Sequence, residues 1–85
     1  MNYNESVIRG NIMFTIKRIR DLREDADIKQ IALAEYLSIT QATYSDYENG
    51  KINIPVEALI KIAAYHNISL DCLVGITDVK KPYPK

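Results

Sequence analysis

Met13, Ile16, Ile19 and Leu22 recur every three residues with Arg20 and Arg23 beside them, which predicts an amphipathic helix over about residues 13 to 25. Acidic Glu24, Asp25 and Asp27 interrupt that pattern, and helical spacing resumes from Gln30 to Leu37 with Ile31, Leu33, Ala34 and Leu37 facing inward. Asp27 and Gln30, three apart, resemble a capping box at the start of this second helix. Ser38, Ile39 and Thr40 leave room only for a tight turn, and Thr40 is a good N-cap. From Gln41 to Asn49, Tyr44 and Tyr47 share one face while Gln41, Ser45 and Asn49 share the other, and Gly50 offers a left-handed stop. Pro55 pre-sets a first helical turn. Val56, Leu59, Ile60 and Ala63 continue it until Asn67, another residue that tolerates the left-handed region. Ser69 caps a last piece, Leu70 to Val74, with Asp71 in its first turn and Gly75 behind it. No segment alternates over a strand's length, so the pattern predicts an all-α domain of five helices. The C-terminal ITDVKKPYPK has little to bury and reads as a frayed tail.

Length limits the architecture further. Eighty-five residues allow one domain, and the 47% hydrophobic and 26% charged content is that of a globular chain. The organisation expected is an N-terminal extension over 1–12, the domain over 13–76 and a C-terminal tail over 77–85. A chain this short has no room for a large internal cavity, and no cofactor or small-molecule ligand is expected. One cysteine, Cys72, can neither form an internal disulfide nor approach a zinc-ligand spacing, which fits a reducing cytosol. The first residues carry neither a basic leader nor an apolar h-region, and no stretch is long enough to span a membrane, so a cytoplasmic protein is expected. One histidine, one cysteine, no glycine-rich phosphate loop and no supported carboxylate pair leave no active site to assemble, so the chain is read as a non-enzyme.

Two helices of about eight residues joined by a three-residue turn meet the length requirement of a helix-turn-helix. Their close crossing needs a small facing residue, and Ala34 is placed to supply it. The stretch RIRDLREDADIKQIALAEYLSITQATYSDYENGKINIPVEALIKIAAYHNISLDCLVG carries Leu22-Arg23, Gln30, Ala34, Tyr47-Glu48-x-Gly50-Lys51, Pro55 and Ser69-Leu70-Asp71-x-Leu73-x-Gly75. On these features it resembles the phage-repressor and Cro type of helix-turn-helix regulator, the XRE family. The resemblance implies a compact five-helix lambda-repressor-like domain that binds double-stranded DNA, as a homodimer on an inverted-repeat operator. Position by position it implies that Gln30 touches a backbone phosphate and that Gln41, Ala42 and Asp46 face base edges. Thr40, Thr43, Ser45, Asn49 and Lys51 are then placed for phosphate or mixed contacts, and Arg23 bridges to Glu48. Side-chain chemistry agrees: Gln can pair with adenine, Ala can meet a thymine methyl, and a carboxylate can accept from cytosine.

Three departures from the family pattern bear on function. Ser38 stands where glycine is common, and Lys29 replaces the usual hydroxyl cap of the second helix while offering a phosphate contact. Between Lys29 and Lys51, two lysines stand against Glu35, Asp46 and Glu48, which implies a faintly acidic reading surface and leans on dimerisation for affinity. Leu70, Leu73, Val74, Ile76, Ile8 and Ile12 are candidates for the dimer surface. The alternative is an antitoxin-like or other protein-interaction module on the same fold. Tyr44, Tyr47 and Cys72 read as core, Tyr36 and Tyr65 as surface or half-buried, and His66 as a partner of helix-end carbonyls. The basic cluster Lys17, Arg18 and Arg20 reads as a solvated face balanced by Asp21 and Glu24 in preference to a flanking phosphate site.

Overall fold

The computed structural model describes residues 5–75, with side chains from residue 12. Five helices follow one another: α1 Glu5–Asp25, α2 Gln30–Leu37, α3 Gln41–Glu48, α4 Val56–Tyr65 and α5 Leu70–Leu73. Among the described residues there is no strand, and the all-α five-helix architecture is the one the resemblance implies. α1 starts at Glu5, earlier than the apolar spacing from Met13 predicts, and runs through Gly10. A glycine inside a helix costs only about 1 kcal/mol relative to alanine, which a helix already propagating can absorb.

The buried core is Ile19, Leu33, Ala34, Leu37, Tyr44, Tyr47, Ile62, Ala63, Ile68, Cys72 and Leu73. All five helices contribute to it, so the domain has a single centre. Several residues expected inside are not there. Met13 is 68% exposed, Ile31 lies outward on α2, and Val56 and Ile60 lie outward on α4. For Met13 and Ile31 the cause is geometric: three residues advance a helix by about 300°, so a strict three-residue repeat drifts about 60° per step and cannot keep one face. On α4 the buried face is that of Ile62 and Ala63, and Val56 and Ile60 lie on the row beside it. Ile19 sits mid-stripe with Ile16 and Leu22 half-buried on its flanks, and the drift carries Met13 out of the core. α5 corrects the expected dimer surface in the same way. Leu73 is fully buried, Leu70 and Val74 are half-buried, and Ile12 alone of the candidates with described side chains is exposed. Ile8 and Ile76 lie outside the described side chains.

Four helices end in the same device. After α1, α2, α3 and α4 the chain turns left-handed at Asp27, Ser38, Gly50 and Asn67. At each, the residue beyond bonds back five positions: Ile28 to Arg23, Ile39 to Ala34, Lys51 to Asp46 and Ile68 to Ala63. These are Schellman closures, which satisfy the terminal carbonyls and set the angle into the next element. Asp27 therefore terminates α1 and does not cap α2. The N-cap of α2 is Lys29, whose side chain makes no capping bond. Thr40 and Ser69 do cap, accepting from the amides of Thr43 and Cys72 at 3.1 and 3.0 Å. Pro55 occupies the N-cap of α4, one position before the first turn, with extended ψ.

Ser38 holds φ +60°, where a side chain is strained and glycine is not. Ser38→Gly is expected to raise stability by about 0.5–1 kcal/mol, after the extra unfolded-state freedom of glycine offsets part of the relief. Urea unfolding of the two proteins measures it; a loss on substitution would mean that the serine side chain supports the turn.

Candidate nucleic-acid interface

α2, the turn 38–40 and α3 form a helix-turn-helix whose angle is set by what lies between the helices. Ala34 is completely buried where α2 meets α3, so the two backbones approach closely. Leu33, Leu37, Tyr44 and Tyr47 fill the remainder, with the tyrosine rings edge to face at 6.3 Å. Both tyrosines are thus core residues.

Burying Tyr44, Tyr47 and Glu48 along one side of α3 turns the opposite arc to solvent. Gln41, Ala42 and Asn49 are exposed on that arc, with Ser45 and Asp46 half-exposed. Thr40 is exposed at the N-terminus, where its hydroxyl donates to the Thr43 hydroxyl at 2.9 Å. Ser45 and Asn49 are already joined, the Asn49 amide donating to Ser45 Oγ at 3.3 Å. Lys29 and Lys51 are exposed at the two ends of the motif.

Behind this arc lies a buried ionic hub. Glu48 is 1% exposed, and Arg23 from α1 grips it bidentately, Nε to Oε2 at 2.7 Å and Nη2 to Oε1 at 3.0 Å. Gln30 at the start of α2 donates to the same Oε1 at 3.1 Å, so its amide is turned onto Glu48 with one further hydrogen left to offer outward. Burial pushes the Glu48 carboxyl up, but the hydrogen bonds from Arg23 and Gln30, with the Tyr44 hydroxyl nearby, outweigh it and hold the group below the usual carboxylate range. The Tyr44 hydroxyl is itself buried without a partner in hydrogen-bond geometry among the described residues, and burial raises its pKa strongly. Arg23 also donates to the carbonyl of Ile28 at 2.9 Å, tying α1, its closure and α3 together.

Arg20 is the residue that sequence reasoning undervalued. One turn before Arg23, it donates to the Glu48 carbonyl and to Asn49 Oδ1, both at 2.8 Å, and lies 3.8 Å from Glu48 Oε1. A guanidinium on the last carbonyls of α3 complements the helix dipole and fixes the end of the helix. Its spacing from Arg23 placed both on one face of α1, which was the available signal. Of the other basic residues, Arg18 departs from a solvated face and Lys17 keeps to it. Arg18 lies 5.0 Å from the centre of the Phe14 ring and donates to Cys72 Sγ at 3.4 Å, while Lys17 pairs with Asp21 on the surface. His66 is the C-cap of α4, with Nε2 buried and unpartnered among the described residues and its ring against Tyr65; burial lowers its pKa.

This hub corrects the expected acidic surface. Glu48 faces inward and is neutralised by Arg23, so Lys29 and Lys51 face only Glu35 and Asp46 across the motif. The outward balance is neutral, and Arg20 adds a partly exposed cation at the end of α3. Among the described residues no cluster of three metal-capable side chains occurs, and no helix is long and apolar enough to cross a membrane.

Comparison with known proteins gives the same segment. A family model described as helix-turn-helix matches residues 19–71. The HTH-type transcriptional regulator YobD of Bacillus subtilis (strain 168), described as uncharacterized, is 30% identical over 66 residues, covering 78% of this chain and 59% of that protein. The HTH-type transcriptional regulator ImmR of the same organism is 32% identical over 65 residues, covering 76% of this chain and 51% of that protein. The chain thus matches little more than half the length of these relatives. No solved structure matches at comparable stringency.

Proposed function

This chain belongs to the helix-turn-helix family, and on that premise we propose that it is a sequence-specific reader of double-stranded DNA that regulates transcription. The reading assigns it as a cytoplasmic repressor acting as a homodimer on an inverted repeat. The observation that carries it is the solvent-facing arc of α3: Gln41, Ala42 and Asp46 stand on a helix held from behind by three side chains on one buried carboxylate. Base readout needs such a helix, because a major groove admits an α-helix but rewards only side chains already in position. Gln41 and Asp46 are assigned to base edges and Ala42 to a thymine methyl. Thr40, Thr43, Ser45, Asn49, Lys29 and Lys51 are assigned to the backbone, with Gln30 using its remaining amide hydrogen on a phosphate. The unit that binds is residues 13–76.

Few cations face outward, so non-specific affinity is expected to be low and the dependence on salt shallow. Selection of bound fragments from random duplex DNA, repeated at several salt concentrations, tests the reading. A palindrome should be enriched, with half-sites about one helical turn apart. Recovery of no preferred sequence at any salt would instead favour the protein-interaction alternative.

A further inference from the structure

We infer that the outward face of α4 is where two copies of this chain associate, their α4 helices antiparallel across a twofold axis; this deepens the dimeric reading above and rests on it. Val56 and Ile60 are 65% and 49% exposed, and exposed Ala64 continues their row at the same four-residue spacing. Ile52, just upstream, is exposed too. The small side chain of Ala64 lets a second helix lie close, as Ala34 does between α2 and α3.

Charge selects the occupant. The next row of α4 carries Glu57 and Lys61, both exposed, and among the described residues neither forms an ion pair. A twofold axis perpendicular to the helices brings each row against its own copy with direction reversed. Glu57 then meets the partner copy's lysine while Lys61 meets its glutamate, with the Val56–Ile60–Ala64 row buried between. Parallel helices would not bring these rows together, and an unrelated apolar partner would leave both charges unmatched. Along the same edge, Pro55, Ala58 and Leu37 help line a groove of about 160 Å³ that can receive an aliphatic side chain from the other copy. One helix face falls short of the roughly 800 Å² per partner of a standard interface, so the free dimer is weak and adjacent half-sites on DNA complete it.

Sedimentation equilibrium of the full chain without DNA, from about 10 μM to about 1 mM, covers the range such an interface implies. The wild type should show reversible dimerisation within it. Ile60→Glu should be monomeric throughout with an unchanged melting temperature. Glu57→Lys alone should weaken association roughly three- to tenfold by opposing like charges, and adding Lys61→Glu should restore it. A wild type monomeric over the whole range, an Ile60→Glu protein that dimerises normally, or a double variant no better than the single would each overturn the proposal. Dimerisation is read here without DNA. A chain that dimerises through α4 yet selects no sequence rejects the DNA reading alone, and one that selects a sequence while monomeric rejects only this surface.

Discussion

Truncating Arg23 to alanine should cost about 3–5 kcal/mol of folding stability at neutral pH, a large part of what a small domain possesses. The cost comes from what is left behind. Glu48 stays 1% exposed, and it loses the two short bonds that offset its dehydration, keeping Gln30 and the more distant Arg20. Because Arg20 is 3.8 Å away and can partly substitute, the lower end of the range is expected. Acid provides the control. In the wild type the folded Glu48 pKa lies below its ordinary value of 4.5, so its contribution is fully present above that value and is lost as pH falls through the folded pKa. In the variant the burial that raises the pKa goes largely unopposed. The unfolded state then releases its proton first, and the deficit grows as pH rises through the ordinary value. Urea unfolding at pH 7 and pH 4 should therefore show a large difference between the proteins that shrinks in acid. Adding Glu48→Gln to Arg23→Ala should recover part of the loss at pH 7. A loss under about 1 kcal/mol at pH 7 would mean the pair behaves as an exposed one and the hub does not hold α3.

The contrast between what was legible in the sequence and what was not follows from the range over which each signal acts. Helix ends depend on one residue's backbone preference, so Gly50 and Asn67 announce their left-handed stops and Thr40 and Ser69 their caps. Asp27 shows the limit even there, because an aspartate suits both an N-cap and a left-handed C-terminus; here it takes the second role, with Ile28 bonding back to Arg23 and Lys29 at the N-cap of α2. Facing was legible only in part. Tyr44 and Tyr47 are three apart and both reach the core, whereas Met13 and Ile31 belong to three-residue repeats that drift across the helix, and Val56 and Ile60 lie on a row of their own at the edge of the buried face of α4. For Val56 and Ile60, hydrophobicity alone cannot say whether the partner is this molecule's core or a second molecule. Least legible was the state of Glu48. Its carboxylate counts as a surface charge in any linear tally, and only the return of α1 across the end of α3, which brings Arg20 and Arg23 to it, removes it from the DNA-facing side. That non-local arrangement changes the electrostatics of the interface from faintly acidic to neutral, which removes a repulsion from phosphate but supplies no strong attraction, so base contacts still carry much of the affinity.

Replacing Gln41 with alanine should consequently weaken binding to the selected operator by a large factor while leaving the fold intact. Gln41 is exposed at the first position of α3, and its side chain makes no hydrogen bond within the described residues that its removal would break. A bidentate contact to adenine discriminates by about 1–3 kcal/mol, and on an inverted repeat each substitution is present twice. The loss for the dimer is then about 2–6 kcal/mol, roughly 30-fold to 10⁴-fold in dissociation constant. Lys51→Ala provides the contrast. A phosphate contact should weaken binding to all duplexes alike and flatten the salt dependence, since each lost contact releases about one counterion fewer. Titration of both variants against the operator, a version changed at the adenine assigned to Gln41 and an unrelated duplex separates the two roles. Gln41→Ala should lose affinity for the operator and little for the other two, whereas Lys51→Ala should lose on all three. If Gln41→Ala instead falls equally on every duplex, Gln41 is a backbone contact. Sequence reading would then have to pass to Ala42 and Asp46, farther round the same exposed arc.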